Sequence, residues 1–224
     1  AVPHKGKTMK LITEMSEDVK PFEELNEATG EKTLYINGVF MQSEVANRNG
    51  RKYPSAILER EVARYVTENV DKGRAWGELG HPTGPTINLD RASHRITSLV
   101  KEGNNFIGKA KISSTPMGDI VKGLIKDGGN LGVSSRGMGS LKQVQGVNEV
   151  QGDFHLATPA DIVADPSAPD AYVDGIMEGR EWVWANGIIK EVDIARHQQV
   201  IQKASRRELE ESKLAVFQDF LSRL

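Results

Sequence analysis

Three short stretches of this chain hold side chains that could move protons or attack a carbonyl. The first is Gly77-Glu78-Leu79-Gly80-His81-Pro82. A histidine bounded by glycines and a proline can be held in one orientation, and an imidazole of ordinary pKa shuttles protons near neutral pH. Taken alone, the hexapeptide reads more simply as a loop whose histidine has no task. The second stretch is Gly132-Val133-Ser134-Ser135-Arg136-Gly137. A serine hydroxyl is a weak nucleophile that needs a base and oxyanion donors. Small residues at both ends let a substrate backbone come close, and glycine admits backbone angles that aim amide N–H groups inward. The plain alternative is a hairpin with surface serines and a solvated arginine. The register is not that of the G-x-S-x-G elbow, because Arg136 stands where the second glycine would be. The third stretch, 153–165, carries Asp161 among Ala160, Ile162, Val163 and Ala164. A buried, unpaired acid there would cost several kcal/mol, so a partner is expected, and a histidine ring N–H would serve. An exposed acid at a strand end is the alternative. His155 shares the face of Asp161 if Pro159 leaves the strand unbroken. The three stretches supply a base, a nucleophile and an orienting acid in the order His…Ser…Asp, which is none of the familiar serine-hydrolase orders.

Composition narrows the choice. The chain has 224 residues, 29 basic and 31 acidic, for a formal charge of −2. That balance argues against a nucleic-acid binder, which would present a basic face. There is no cysteine, which excludes disulfides, thiol catalysis and cysteine-ligated zinc, and fits a reducing compartment. With five histidines, any imidazole chemistry must come from His4, His81, His94, His155 or His197. No apolar run approaches the ~18 residues of a membrane span, and no signal peptide is visible. A mean hydropathy of −0.44 points to a polar segment outside the core.

The elements that must position these groups follow from periodicity. Residues 1–8 read as an expression-vector remnant. Residues 9–32 are acidic and weakly patterned, an extended or loosely docked arm or else a short helix over 21–26. The core is expected from Thr33. Leu34, Ile36, Val39 and Met41 alternate as in a strand, with Asn37-Gly38 predicting a tight turn or bulge. Pro54 opens a helix that carries Ile57, Leu58, Val62, Tyr65 and Val66 to about Val70. Strands are expected over 95–101 and 105–113. A helix from Pro116 should stop at Asp127-Gly128-Gly129. Short strands should cover 131–136 and 140–145, broken at 137–139, and a further strand 154–163. The tail from about Glu191 to Leu224 reads as a long polar helix with Leu214, Phe217, Leu221 and Leu224 on one stripe. The sum is an α+β chain with a β-rich core.

GELGHP at 77–82, GVSSRG at 132–137, DPSAPDA at 165–171 and YINGVFMQSEVANRNGRKYP at 35–54 together resemble the prohead (capsid-assembly) proteases of T-even-type tailed phages. The resemblance implies the herpesvirus assemblin-like fold, a small β-barrel core wrapped by helices. It implies a serine endopeptidase that needs no metal or organic cofactor. Such an enzyme works inside the immature capsid, in the bacterial host cytoplasm, on phage scaffold and capsid proteins. By motif, His81 is the general base and Ser134 the nucleophile, with Ser135 as the other candidate. The spacing after the serine points to Asp161 as third member, with His155 as the alternative. Ser135, Arg136 and Gly137 would support the oxyanion or the loop. The family's pattern of Leu or Ile, any residue, Glu, then a small residue occurs at Leu25-Asn26-Glu27-Ala28 and Ile176-Met177-Glu178-Gly179. The protease domain would span 33–178, between an acidic arm, 9–32, and a C-terminal helical extension, 179–224; self-cleavage after Glu27 would release the arm up to that cut, and cleavage after Glu178 would remove the extension. That extension would attach the precursor to the scaffold or to another copy of the chain, making a homo-oligomer. A basic pocket for the substrate glutamate would draw on Arg48, Arg51, Lys52 or Arg91. A non-catalytic assembly component on the same fold is the rival reading.

Overall fold

Alternating strands dominate this chain. The computed structural model describes residues 8–16, 19–47, 49–80, 82, 84–164, 180–185 and 188–193. Its strands are β1 (Thr8–Ser16), β2 (Val19–Leu25), β3 (Lys32–Gln42), β4 (Arg51–Lys52), β5 (Trp76–Glu78), β6 (Ala92–Glu102), β7 (Asn105–Ile112), β8 (Gly132–Gly139), β9 (Leu141–Val144), β10 (Val147–Val150), β11 (His155–Val163), β12 (Arg180–Ala185) and β13 (Ile188–Asp193). Its α-helices are α1 (Ser55–Tyr65) and α2 (Pro116–Lys126). Two compact units result, 12–169 and 1–11 with 170–224. In the smaller unit, Thr8 and Met9 pair antiparallel with Val183 and Trp182, and β12 and β13 form a hairpin.

In the larger unit an antiparallel sheet runs β2-β3-β7-β6-β5, β4 and β9 flank β10, and β8 pairs with β11. β6 and β7 are the two strands expected around Gly103-Asn104. Phe106, Gly108, Ala110 and Ile112 are buried on one face of β7. Gly108 lies under the Phe40 ring, in space that a Cβ would need. Helix α1 starts directly after Pro54, and Glu44 accepts the Ser55 N–H at 2.6 Å, satisfying one free donor of the first turn. The helix buries Leu58, Val62 and Tyr65, and a π-helical turn, Val66–Val70, extends it to the expected end. Thr115 caps α2 through the Gly118 N–H, and Gly128 at φ +83° ends it. The core gathers Phe40, Leu58, Ile96, Phe106, Leu156 and Ile162. No helix among the described residues is long and apolar enough to cross a membrane.

Four expectations change. Residues 21–26 form no helix: β2 pairs with β3 from Val19–Gly38 to Leu25–Lys32. Its acids find partners, Glu23 on Lys32 at 3.1 Å and Glu24 on Lys109, while Phe22 stacks on Tyr35. Asn37-Gly38 does not turn. β3 runs straight through it, and the bulge falls between Val39 and Met41. Gly137–Gly139 continues β8 instead of breaking it, because Phe154 fills the space beside Gly137 and Gly139. Glu191 to Asp193 belong to β13 rather than a helix. Residues 194–224 lie outside the described residues, as do 165–171. The described pairings leave the wall of strands open, so an α+β architecture holds without a closed barrel.

Candidate active site

All three motifs converge at one end of the β8–β11 pair. Ser134 is in register with Asp161, and Val133 with Ile162. β5 brings the first motif to the far edge of β11. Past Glu78, Leu79 bridges Ile162 in parallel, and the Gly80 N–H donates to the Ile162 carbonyl at 2.7 Å. The residue before position 81 therefore stands two strand spacings, about 10 Å, from β8. His81 itself lies outside the described residues.

Strand alternation sorts the serines. Ser134 and Arg136 share the face of Asp161, while Ser135 and Gly137 point the other way. Ser135 lines a cavity of about 110 Å³ with Phe40, Met41, Tyr53 and Leu58. Ser134 is fully buried, its hydroxyl 3.4 Å from the Ser135 carbonyl. The register passes from Arg136–Thr158 to Ser134–Asp161, so β11 spends Pro159 and Ala160 opposite Ser135 as a bulge.

Asp161 has its expected partner, and it is a guanidinium. Arg136 Nε donates to Asp161 Oδ2 at 2.9 Å and Nη2 to Oδ1 at 3.3 Å. The Glu78 N–H donates to Asp161 Oδ1 at 2.9 Å. Arg136 Nη2 also reaches Glu78 Oε1 at 3.3 Å, and Nη1 donates to the carbonyls of Gly84 at 2.5 Å and Thr86 at 3.2 Å. Arg136, Asp161 and Glu78 are all at most 1% exposed. Burial pushes the Asp161 carboxyl up to about 6, with Arg136 and the Glu78 N–H pulling the other way. Asn88 N–H donates to Glu78 Oε1 at 2.8 Å, and Arg91 Nε lies 3.4 Å from Glu78 Oε2. The sequence named Glu78 only as part of a loop motif. Its signal was an acid between Gly77 and Gly80, where burial demands a cation.

The alternative third member stands elsewhere. His155 is in register with Met138, toward the opposite end of β8 from Ser134, and its Nδ1 lies 3.9 Å from Glu61 of α1. Another histidine is closer. His94 is fully buried, with Nδ1 at 2.9 Å from Ser93 Oγ and Nε2 at 2.9 Å from the Ala160 carbonyl. Burial lowers it to about 4, so it is a neutral strut between β6 and β11. Of the basic residues named for a glutamate pocket, Arg51 is committed to Glu14 and the Thr13 carbonyl, and Lys52 to Glu44 and Glu149. Arg91 is half-exposed beside the site and donates to the Leu79 carbonyl at 2.6 Å. Arg48, Glu178 and Gly179 lie outside the described residues. Glu27 and Ala28 are exposed in the turn between β2 and β3.

A family profile described as prohead core protein serine protease matches residues 5–181. The chain belongs to this family. The prohead core protein protease of Enterobacteria phage T4 is 42% identical over 143 residues, covering 62% of this chain and 68% of that protein. Among solved structures, the bacteriophage T4 capsid assembly protease superposes with a TM-score of 0.67 and 33% identity, over 70% of this chain and 99% of that one. As a prohead core protease the chain is an enzyme, which decides against a non-catalytic assembly component.

Proposed function

We propose that this protease is a serine endopeptidase acting inside the immature phage capsid, in the host cytoplasm, on scaffold and capsid proteins. One observation carries the assignment of its centre: the Ser134–Asp161 register pair lies on one face, next to the strand that delivers the segment Leu79-Gly80. Ser134 is favoured over Ser135 because Ser135 faces the opposite side, into the Phe40 cavity.

In this reading the His81 imidazole takes the Ser134 proton as Oγ attacks a peptide carbonyl. The carbon–nitrogen bond then breaks, and the leaving amine takes the proton from the imidazolium. Water, deprotonated by the same imidazole, hydrolyses the acyl-serine and frees the enzyme. Asp161 keeps one Oδ2 lone pair beyond those used by Arg136 and the Glu78 N–H, so it can steady the imidazolium. Backbone N–H groups near Ser135, across from the bulge, are the candidate oxyanion donors, each worth about 3–4 kcal/mol in serine proteases. Arg91, paired with Glu78 but half-exposed, is the described candidate with the most surface left to meet a substrate glutamate. The bridge from Leu79 to Ile162 continues the β2-β3-β7-β6-β5 sheet onto β11 and β8, which supports the assemblin-like wall.

Intact-mass measurement of the incubated chain tests the reading. Wild type should lose the segment ending at Glu27 and the segment beginning at Gly179, and Ser134→Ala should lose neither. A Ser134→Ala chain that still trims itself in isolation would refute it.

A further inference from the structure

A catalytic serine on β8 and an imidazole carried past β5 need something to hold strand and loop at a fixed separation. We propose that Arg136 is that positioning residue: its guanidinium clamps the loop on both sides of position 81 to the strand bearing Ser134. The inference rests on the reading of Ser134 and His81 given above.

The geometry is specific. Before position 81, Nη2 holds the Glu78 carboxylate at 3.3 Å. After it, Nη1 holds the carbonyls of Gly84 and Thr86 at 2.5 and 3.2 Å. The remaining bonds, from Nε and Nη2 to Asp161, fix the guanidinium opposite Ser134. A planar fork of five N–H donors thus meets acceptors from two strands and one loop, and the side chain is only 1% exposed. No ammonium can reproduce this, because its three donors do not lie in one plane.

The clamp matters for geometry more than for stability. Buried ion pairs recover little net free energy once desolvation is subtracted, and apolar replacements of the whole set are often neutral. A fully satisfied network instead selects one arrangement of the elements it joins. Two carboxylates, Glu78 and Asp161, meet two guanidiniums, Arg136 and Arg91, so the cluster leaves no net formal charge to pull the loop away. Arg136 has its donors turned to these acceptors and touches no substrate in this role.

The test uses the full chain and a serine-directed fluorophosphonate, with the saturation constant and the maximal labelling rate measured separately. Arg136→Lys should lower the maximal rate ~100-fold, the scale of a misplacement near 1 Å, and leave the saturation constant nearly unchanged. Because Arg136→Lys can fail to fold, a second variant combines Arg136→Met, Glu78→Gln and Asp161→Asn, which leaves no buried charge unpaired and only the half-exposed Arg91 without its acid. It should melt as a folded protein and label as slowly, and amide exchange in 79–88 should quicken while that in β6 and β7 does not. A folded Arg136→Lys or triple variant labelled at the wild-type rate overturns the clamp, provided Ser134→Ala is unlabelled. Label retained by Ser134→Ala, or a wild-type chain never labelled, overturns the underlying reading and the clamp with it.

Discussion

Two buried groups near the site titrate in opposite senses. His94 is neutral in the fold, lowered from 6.5 to about 4 by burial. The unfolded chain therefore takes up a proton first as pH falls, so its contribution holds above 6.5 and is lost between 6.5 and 4. Asp161, raised from 3.8 to about 6, acts the other way: its contribution is full below 3.8 and is lost as pH rises through 6. Denaturant titrations at pH 7 and pH 4 separate them. Wild type should lose roughly 3 kcal/mol more than His94→Gln across that interval, and an equal loss would show that His94 is not held neutral. Glycines give a second residue-scale contrast. A Cβ at Gly77 would strike the His94 ring and the Ala160 carbonyl, neither free to move. Gly77→Ala should destabilise by about 1–3 kcal/mol, whereas Gly123→Ala, in open space on α2, should stabilise by about 0.5–1 kcal/mol. Urea melts of the pair check both signs.

At the scale of elements, β11 is kept from standing open by a helix that acts through its side chains. Arg60 and Arg64 donate to the carbonyls of Phe154 and Leu156 at 3.2 and 2.7 Å, and Glu61 accepts the Leu156 N–H at 3.0 Å. α1 therefore completes the outer edge of β11 at its start, as Gly80 does near its end. Glu61→Ala leaves a buried N–H and the guanidiniums of Arg60 and Arg64 short of an acceptor and should cost about 2 kcal/mol in a urea melt. Glu68→Ala, which removes only the exposed pair with Arg64, should barely move the midpoint. A Glu61→Ala protein as stable as wild type would mean that water satisfies the edge instead. Helix α1 was legible because its apolar residues recur at helical spacing behind Pro54. This second role was not, since an acid on a helix says nothing of a strand almost a hundred residues later.

For the whole molecule, the consequence concerns what a cut after Glu27 would release. β2 is paired with β3 along its full length, and Lys109 sits over both rings of the Phe22–Tyr35 stack. The trimmed segment should therefore stay bound to the rest of the chain in native gel filtration and leave only in denaturant. Prompt separation of the fragment without denaturant would show that β2 is held too weakly to persist. Acid-rich composition alone suggested a loose arm, because charge balance with Lys32 and Lys109 exists only after the strands have met. By itself the sequence determined the chemistry-bearing residue types, the family, the two helices and the β6–β7 hairpin. Local spacing, proline and glycine placement and contiguous motifs encode all of these. Tertiary structure alone decided that Ser134 faces Asp161 while Ser135 faces the core, that Asp161 meets Arg136, and that Glu78 joins them. Those facts depend on strand register and on chain segments distant in sequence, and neither leaves a periodic trace in the order of residues.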